Sequence, residues 1–185
     1  DRGMISRQTI EDLERERLQY ILGVRMRQHK DITHEIFSKG DYETVYGHRL
    51  GRHEPSPLAV KETRINNRRY IICDNQEEAK ADAQMRKQIV ESLKEKLKNS
   101  NKELVGNKGY RRYLSVVKGE HFSIDEEKIK KEAVYDGKWV LTTNTELPAK
   151  DVALKYKQLW MVERIFRDMK TILQSRPIFH KCDET

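Results

Sequence analysis

"YDGKWVLTTNTELPAKDVALKYKQLWMVERIFRDMK", residues 135–170, decides how the fold is read. Asp136-Gly137 is the strongest hairpin signal in the chain, because a tight turn needs residues that tolerate positive φ. The segment "KEAVYDGKWVLTTN", residues 131–144, therefore reads as strands. Pro148 sits where a helix can start, since the first helical positions need no N–H donor. A helical pattern then runs to about Leu173, and Pro177 marks its end. At about 100° per residue, Leu159, Val162, Phe166, Met169 and Leu173 gather on one side, which is expected to pin the helix to a sheet. Tyr156, Glu163 and Lys170 return to nearly one angle and form a line up another face, with Arg167 close to it.

Outward from that stretch, residues 6–18 read as a short helix capped by Ser6, and residues 20–26 as a strand. Residues 27–57 hold four histidines and two prolines and give little regular pattern. Residues 58–74 read as a hairpin turning at Asn66-Asn67. A helix follows from about Gln76 to Lys98, with Asn75 as cap, Glu78 as its reciprocal partner and Met85, Ile89, Leu93 and Leu97 as its apolar stripe. "GYRRYLSVVKG", residues 109–119, reads as a further strand. The economical organisation is one α/β domain, residues 1–26 and 134–185, interrupted by a mostly β, α+β insertion over 27–133, and the alternative is two small α+β units side by side.

Composition sets outer bounds. The chain has 185 residues, 36% hydrophobic and 36% charged, with net charge +7. Mean hydropathy is -0.89 and the pI about 9.3. A basic balance fits a nucleic-acid partner. No run is long and apolar enough for a membrane span, and Cys73 and Cys182 are too few for a disulfide framework or zinc cluster. The histidine pairs 29/34 and 48/53 have no metal-ligand spacing, so they read as scattered surface residues.

Glu163 has two readings from pattern alone. With Arg167 it makes an ordinary i,i+4 pair, worth a few tenths of a kcal/mol at a surface. It is also a carboxylate aimed by a packed helix, with cations nearby that can reach phosphate oxygens. The segments "NKGYRRY", residues 107–113, and "NNRRY", residues 66–70, mix arginines with tyrosines. Such a mixture suits stacking on an unpaired DNA end. It equally suits turns whose tyrosines face a small core.

The opening "DRGMIS" and residues 135–185 resemble DDE transposases of the IS4-like group. That resemblance implies a ribonuclease H-like core that uses two aspartates and one glutamate. Asp1 matches the second aspartate, which ends a strand before a basic residue and glycine. Tyr156, Glu163 and Lys170 match the pattern of the glutamate helix in register. The family's arginine position in that helix is Leu159, a departure; either Arg164 or Arg167 takes the role, or the subgroup does without it. The first aspartate is expected upstream of Asp1, because Asp12, Asp31 and Asp41 follow it. Both ends of the chain read as cut, so the chain is expected to be the C-terminal part of a catalytic domain.

The resemblance implies metal-dependent phosphoryl transfer, the cleavage and joining of transposon DNA ends. Asp1 and Glu163 are then catalytic and would hold Mg²⁺ or Mn²⁺, with two divalent ions in the complete site. Tyr156, Lys170, Arg167 and Arg164, with Lys108, Arg111 and Arg112 of the insertion, are the expected DNA contacts. Partners are transposon ends, target DNA and a second copy in the synaptic complex, in the cytoplasm of a bacterial-type cell. A related nuclease and an inactive DNA-binding fragment are the alternatives.

Overall fold

The computed structural model describes residues 6–29, 32, 35–38, 40–48, 51, 54–99, 110, 112–117 and 121–172. In chain order the elements are α1 (Arg7–Arg15), β1 (Ile21–Val24), α2 (Glu35–Ser38), β2 (Glu43–Tyr46), β3 (Leu58–Ile65) and β4 (Arg68–Asp74). Then come α3 (Gln76–Asn99), β5 (Leu114–Val117), β6 (His121–Ile124), α4 (Glu126–Ala133), β7 (Lys138–Thr143) and α5 (Ala149–Ile172).

Five strands form one sheet in the order β1-β7-β4-β3-β2, and every pairing is antiparallel. The β3–β4 hairpin turns at Asn66 and Asn67, both at positive φ (48° and 63°), as the sequence suggests. Strand β4 lies at the centre, and Tyr70, Ile71, Ile72 and Cys73 are all fully buried. Their side chains alternate between two cores. Tyr70 and Ile72 join Val24, Met26, Ile32, Phe37, Tyr135 and Val140 on one face. Ile71 and Cys73 join Leu58, Val60 and Leu141 under α5 on the other. A run apolar on both faces is stable only between two covered faces, and each such aliphatic side chain contributes about 2 kcal/mol on burial.

This places part of the expected insertion inside the main sheet. Strands β2, β3 and β4 all lie between residues 27 and 133, yet β4 pairs directly with β7. The sheet thus runs across the boundaries read from the sequence. What stands beyond it is a smaller unit of α3, the β5–β6 hairpin and α4, packed around Leu93, Tyr113 and Leu114.

The turn at Asp136-Gly137 also differs from expectation. It joins a helix to a strand rather than two strands. Asp125 caps α4 by accepting the Lys128 N–H at 3.0 Å, with Glu126 and Glu127 in the first turn and Lys130 and Lys131 in the last. Those end charges match the helix dipole, and the helix wins. Gly137 keeps its positive φ of 62°.

Helix α5 is placed by its first turns. Val152 and Ala153 are fully buried against the sheet, with Ala149 and Tyr156 partly buried beside them. The stripe expected to pin the helix does not: Leu159 is 56%, Val162 47%, Phe166 59% and Met169 47% exposed. Amphipathic spacing says which side favours burial, not which surface is within reach. Small alanines let the backbone approach closely, and they lie roughly a quarter turn or more from that stripe. The helix touches β1, β4 and β3. Its 24 residues span about 36 Å, whereas five strands span only about 20–24 Å.

Candidate functional site

The loop after β7, "TNTELP", residues 143–148, ties the start of β1 to the start of α5. Asn144 accepts the Tyr20 N–H at 2.9 Å and donates to the Leu18 carbonyl at 2.9 Å. The Thr143 hydroxyl donates to the Tyr20 carbonyl at 2.7 Å and lies 3.0 Å from the Thr145 hydroxyl. Arg69 of β4 reaches across to the Thr145 carbonyl at 2.7 Å while its other terminal nitrogen holds Glu62 at 2.6 Å. That bond, with Arg64 adding its charge, keeps the Glu62 carboxyl below the usual carboxylate range. The Pro148 carbonyl accepts from the N–H groups of Asp151 and Val152, which starts α5.

These ties leave a cleft of about 370 Å³ between β1, the loop and α5. Gln19, Tyr20 and Ile21 form one wall, Thr145 and Leu147 the end, and Lys155, Tyr156 and Leu159 the helix side. Tyr20 is fixed by donating its hydroxyl to Glu14 at 2.8 Å. Burial, and then the Glu14 carboxylate, push that phenol up to about 12, so it stays neutral at physiological pH. Tyr156 is half-buried, packed against the core beneath the helix.

The sequence candidates divide as follows. Tyr156 lines the cleft. Glu163 stands on α5 one turn beyond Leu159, the last helix residue that lines the cleft. Arg164, Arg167 and Lys170 also belong to α5, and the side chains of these four residues lie outside the described set. Asp1, Lys108 and Arg111 lie outside the described residues altogether. Arg112 is described and belongs elsewhere: it lines a separate cavity beside α3 and α4, where it lies 3.7 Å from Glu132. In the two arginine–tyrosine segments the tyrosines are core residues. Tyr113 and Tyr70 are buried, Tyr110 packs with Leu93 under the Lys96 ammonium, and His29 sets its ring edge-on to Tyr70.

Sequence reasoning missed Tyr20, Thr145 and Lys155. Only Lys155 carried a local signal, as the residue one turn before Leu159 on the same flank. For a metal, Asp1 and Glu163 are hard oxygen donors of the kind that suits Mg²⁺ or Mn²⁺. Among the described residues, no three of His, Cys, Asp and Glu converge on one point. Also among them, no helix is long and apolar enough to cross a membrane.

Comparison with known proteins gives one family. The family described as "Transposase DDE domain" matches residues 1–183. No curated protein and no solved structure gives a significant match.

Proposed function

Because the chain belongs to the transposase DDE domain family, we propose that it acts in cutting and joining the DNA ends of a mobile element. The observation that carries this reading is the family match over residues 1–183, and beside it a cleft against α5 lined by Tyr156 and by Leu159, the latter four residues before position 163. In this reading a ribonuclease H-like core brings Asp1, at a strand tip, to Glu163 on α5. The two carboxylates would hold Mg²⁺ or Mn²⁺, which when bound would activate the attacking oxygen and stabilise the leaving one.

The chain's own groups then have separate tasks. Tyr156, Lys170 and Arg167 engage phosphates on either side of the reacting one. Arg164 and the basic groups Lys108, Arg111 and Arg112 hold DNA further away. The anchored Thr143–Pro148 loop fixes where α5 begins, and so where its carboxylate stands. Position matters because small displacement of a reacting group costs orders of magnitude in rate. Asp1 and Glu163 are two of the three carboxylates that this chemistry uses. The working form is expected to pair with a second copy on DNA, in the cytoplasm of a bacterial-type cell.

The test is nicking of a labelled terminal DNA by protein that carries all three carboxylates, with Mg²⁺ or Mn²⁺. Glu163→Gln should lose nicking and keep most DNA binding, because it removes a ligand and keeps the shape. Glu91→Gln, an exposed position on α3, should match the unmodified protein. Equal nicking by all three would reduce Glu163 to a surface charge.

A further inference from the structure

Leu159 lines the cleft, is more than half exposed and offers it no charge. Lys155 lines the same wall one turn earlier. It is exposed, and it forms no ion pair with Asp151, the acid one turn behind it. Lys128 and Lys138 are engaged elsewhere, the first donating to the Leu114 carbonyl and the second 3.5 Å from Asp74, and the Lys157 ammonium on α5 is buried rather than offered to the cleft. Helical register, and for Lys170 distance along the axis, separates the remaining cations of this helix from the cleft. Taking Leu159 as reference, position 155 lies about 40° away, position 167 about 80°, position 164 about 140° and position 157 about 160°, while position 170 shares the angle to within about 20° but stands eleven residues, about 16 Å, further along the axis. Among the described side chains of α5, Lys155 is therefore the cation that lines the cleft, beside Tyr156.

We propose that Lys155 is a phosphodiester contact, gripping the DNA strand at a fixed distance from the position of Glu163. The proposal rests on the DNA reading above. Eight residues separate the two positions, about 12 Å along the helix axis. A strand that follows the helix would cover that distance in roughly three to four nucleotides. An ammonium suits this task as a compact point charge, which holds a phosphate without reading a base.

The experiment measures binding of the 185-residue chain to a duplex as a function of KCl, with circular dichroism to check folding. Losing one phosphate contact lowers the slope of log K against log salt by about one. Lys155→Ala should show that drop, and Lys150→Ala, an exposed lysine of the same helix away from the cleft, should not. Lys155→Ala combined with Leu159→Arg should recover the slope, because the new guanidinium enters the same cleft. If Lys155→Ala and Lys150→Ala behave alike while the unmodified chain binds with a steep salt slope, the assignment of Lys155 falls and the DNA reading stands. If the unmodified chain shows no salt-dependent binding, the DNA reading falls and this proposal with it.

Discussion

Gly137 is the position where one added carbon should matter most. Its φ of 62° costs an L-residue about 1–2 kcal/mol. A Cβ there would also meet the Asn75 carbonyl oxygen at 2.2 Å, the Ala79 nitrogen at 2.6 Å and the Ala79 Cβ at 2.8 Å. Two of these are backbone atoms of the first turn of α3, and they cannot swing aside as a side chain would. That turn is held in several ways. The Gly137 carbonyl accepts the Asn75 N–H at 2.8 Å, and the Gly137 N–H donates to Asp82 at 2.9 Å. Asn75 caps the helix through Glu77 and Glu78, and Arg86 holds Asp136. Relieving the overlap by drawing α3 back would loosen at least two of these bonds, at about 1 kcal/mol each. Gly137→Ala should therefore lose about 3–4 kcal/mol, a large share of the 5–15 kcal/mol typical of a domain. Urea unfolding of the purified chain measures it. Gly47→Ala is the comparison, since a Cβ there meets nothing within 4 Å, and it should change stability by less than about 0.5 kcal/mol. A loss below about 1 kcal/mol at Gly137 would show that α3 is not seated against this turn.

Two further outcomes follow from the core and its charges. The Glu62 carboxyl is held low by its bond to Arg69, so the pair stabilises above the unfolded carboxyl pKa of about 4.3 and is lost as pH falls through the lower folded value. Glu62→Gln should destabilise the chain at pH 7 by about 1 kcal/mol or less, because the carboxylate is more than a third exposed although Arg69 is largely buried, and the difference should vanish in acid; an equal difference at pH 7 and pH 3 would refute the pairing. Cys73 is fully buried and burial pushes its thiol up, so in a Cys182→Ser background a thiol reagent should label it only after unfolding, and rapid labelling of the native chain would contradict the buried β4.

What could be read in advance was local. Asn75 caps α3, Ser6 caps α1 and Asn66-Asn67 turns a hairpin because each feature is decided within a few residues. The Tyr156–Glu163–Lys170 register was likewise legible, since helical phase is arithmetic. The rest depends on partners far along the chain. Nothing in residues 58–74 states that β4 pairs with β7, and a glycine at positive φ fits a helix-to-strand turn as well as a hairpin. The cleft was hidden for the same reason: its walls come from β1, the 143–148 loop and α5, and only the folded chain brings Tyr20, Thr145 and Lys155 together. The stripe of α5 shows the opposite error, in which a clear local pattern was given a sheet that the helix overruns.

The pairing of β1 with β7 has a consequence for how the molecule assembles. Hairpin β3–β4 closes over two residues, whereas β1 finds its partner only when Ile21 meets Thr143. That contact closes a loop of roughly 120 residues, and closure entropy rises with the logarithm of loop length. Non-local pairings of this kind are made late, after local ones have formed a surface to receive them. Among the described residues, strand β1 is held on one side only, by β7. The wall that Gln19, Tyr20 and Ile21 give to the cleft is thus contributed by the strand with the longest search. A chain caught before that step would already have its central hairpin and long helices, and would still lack a closed cleft.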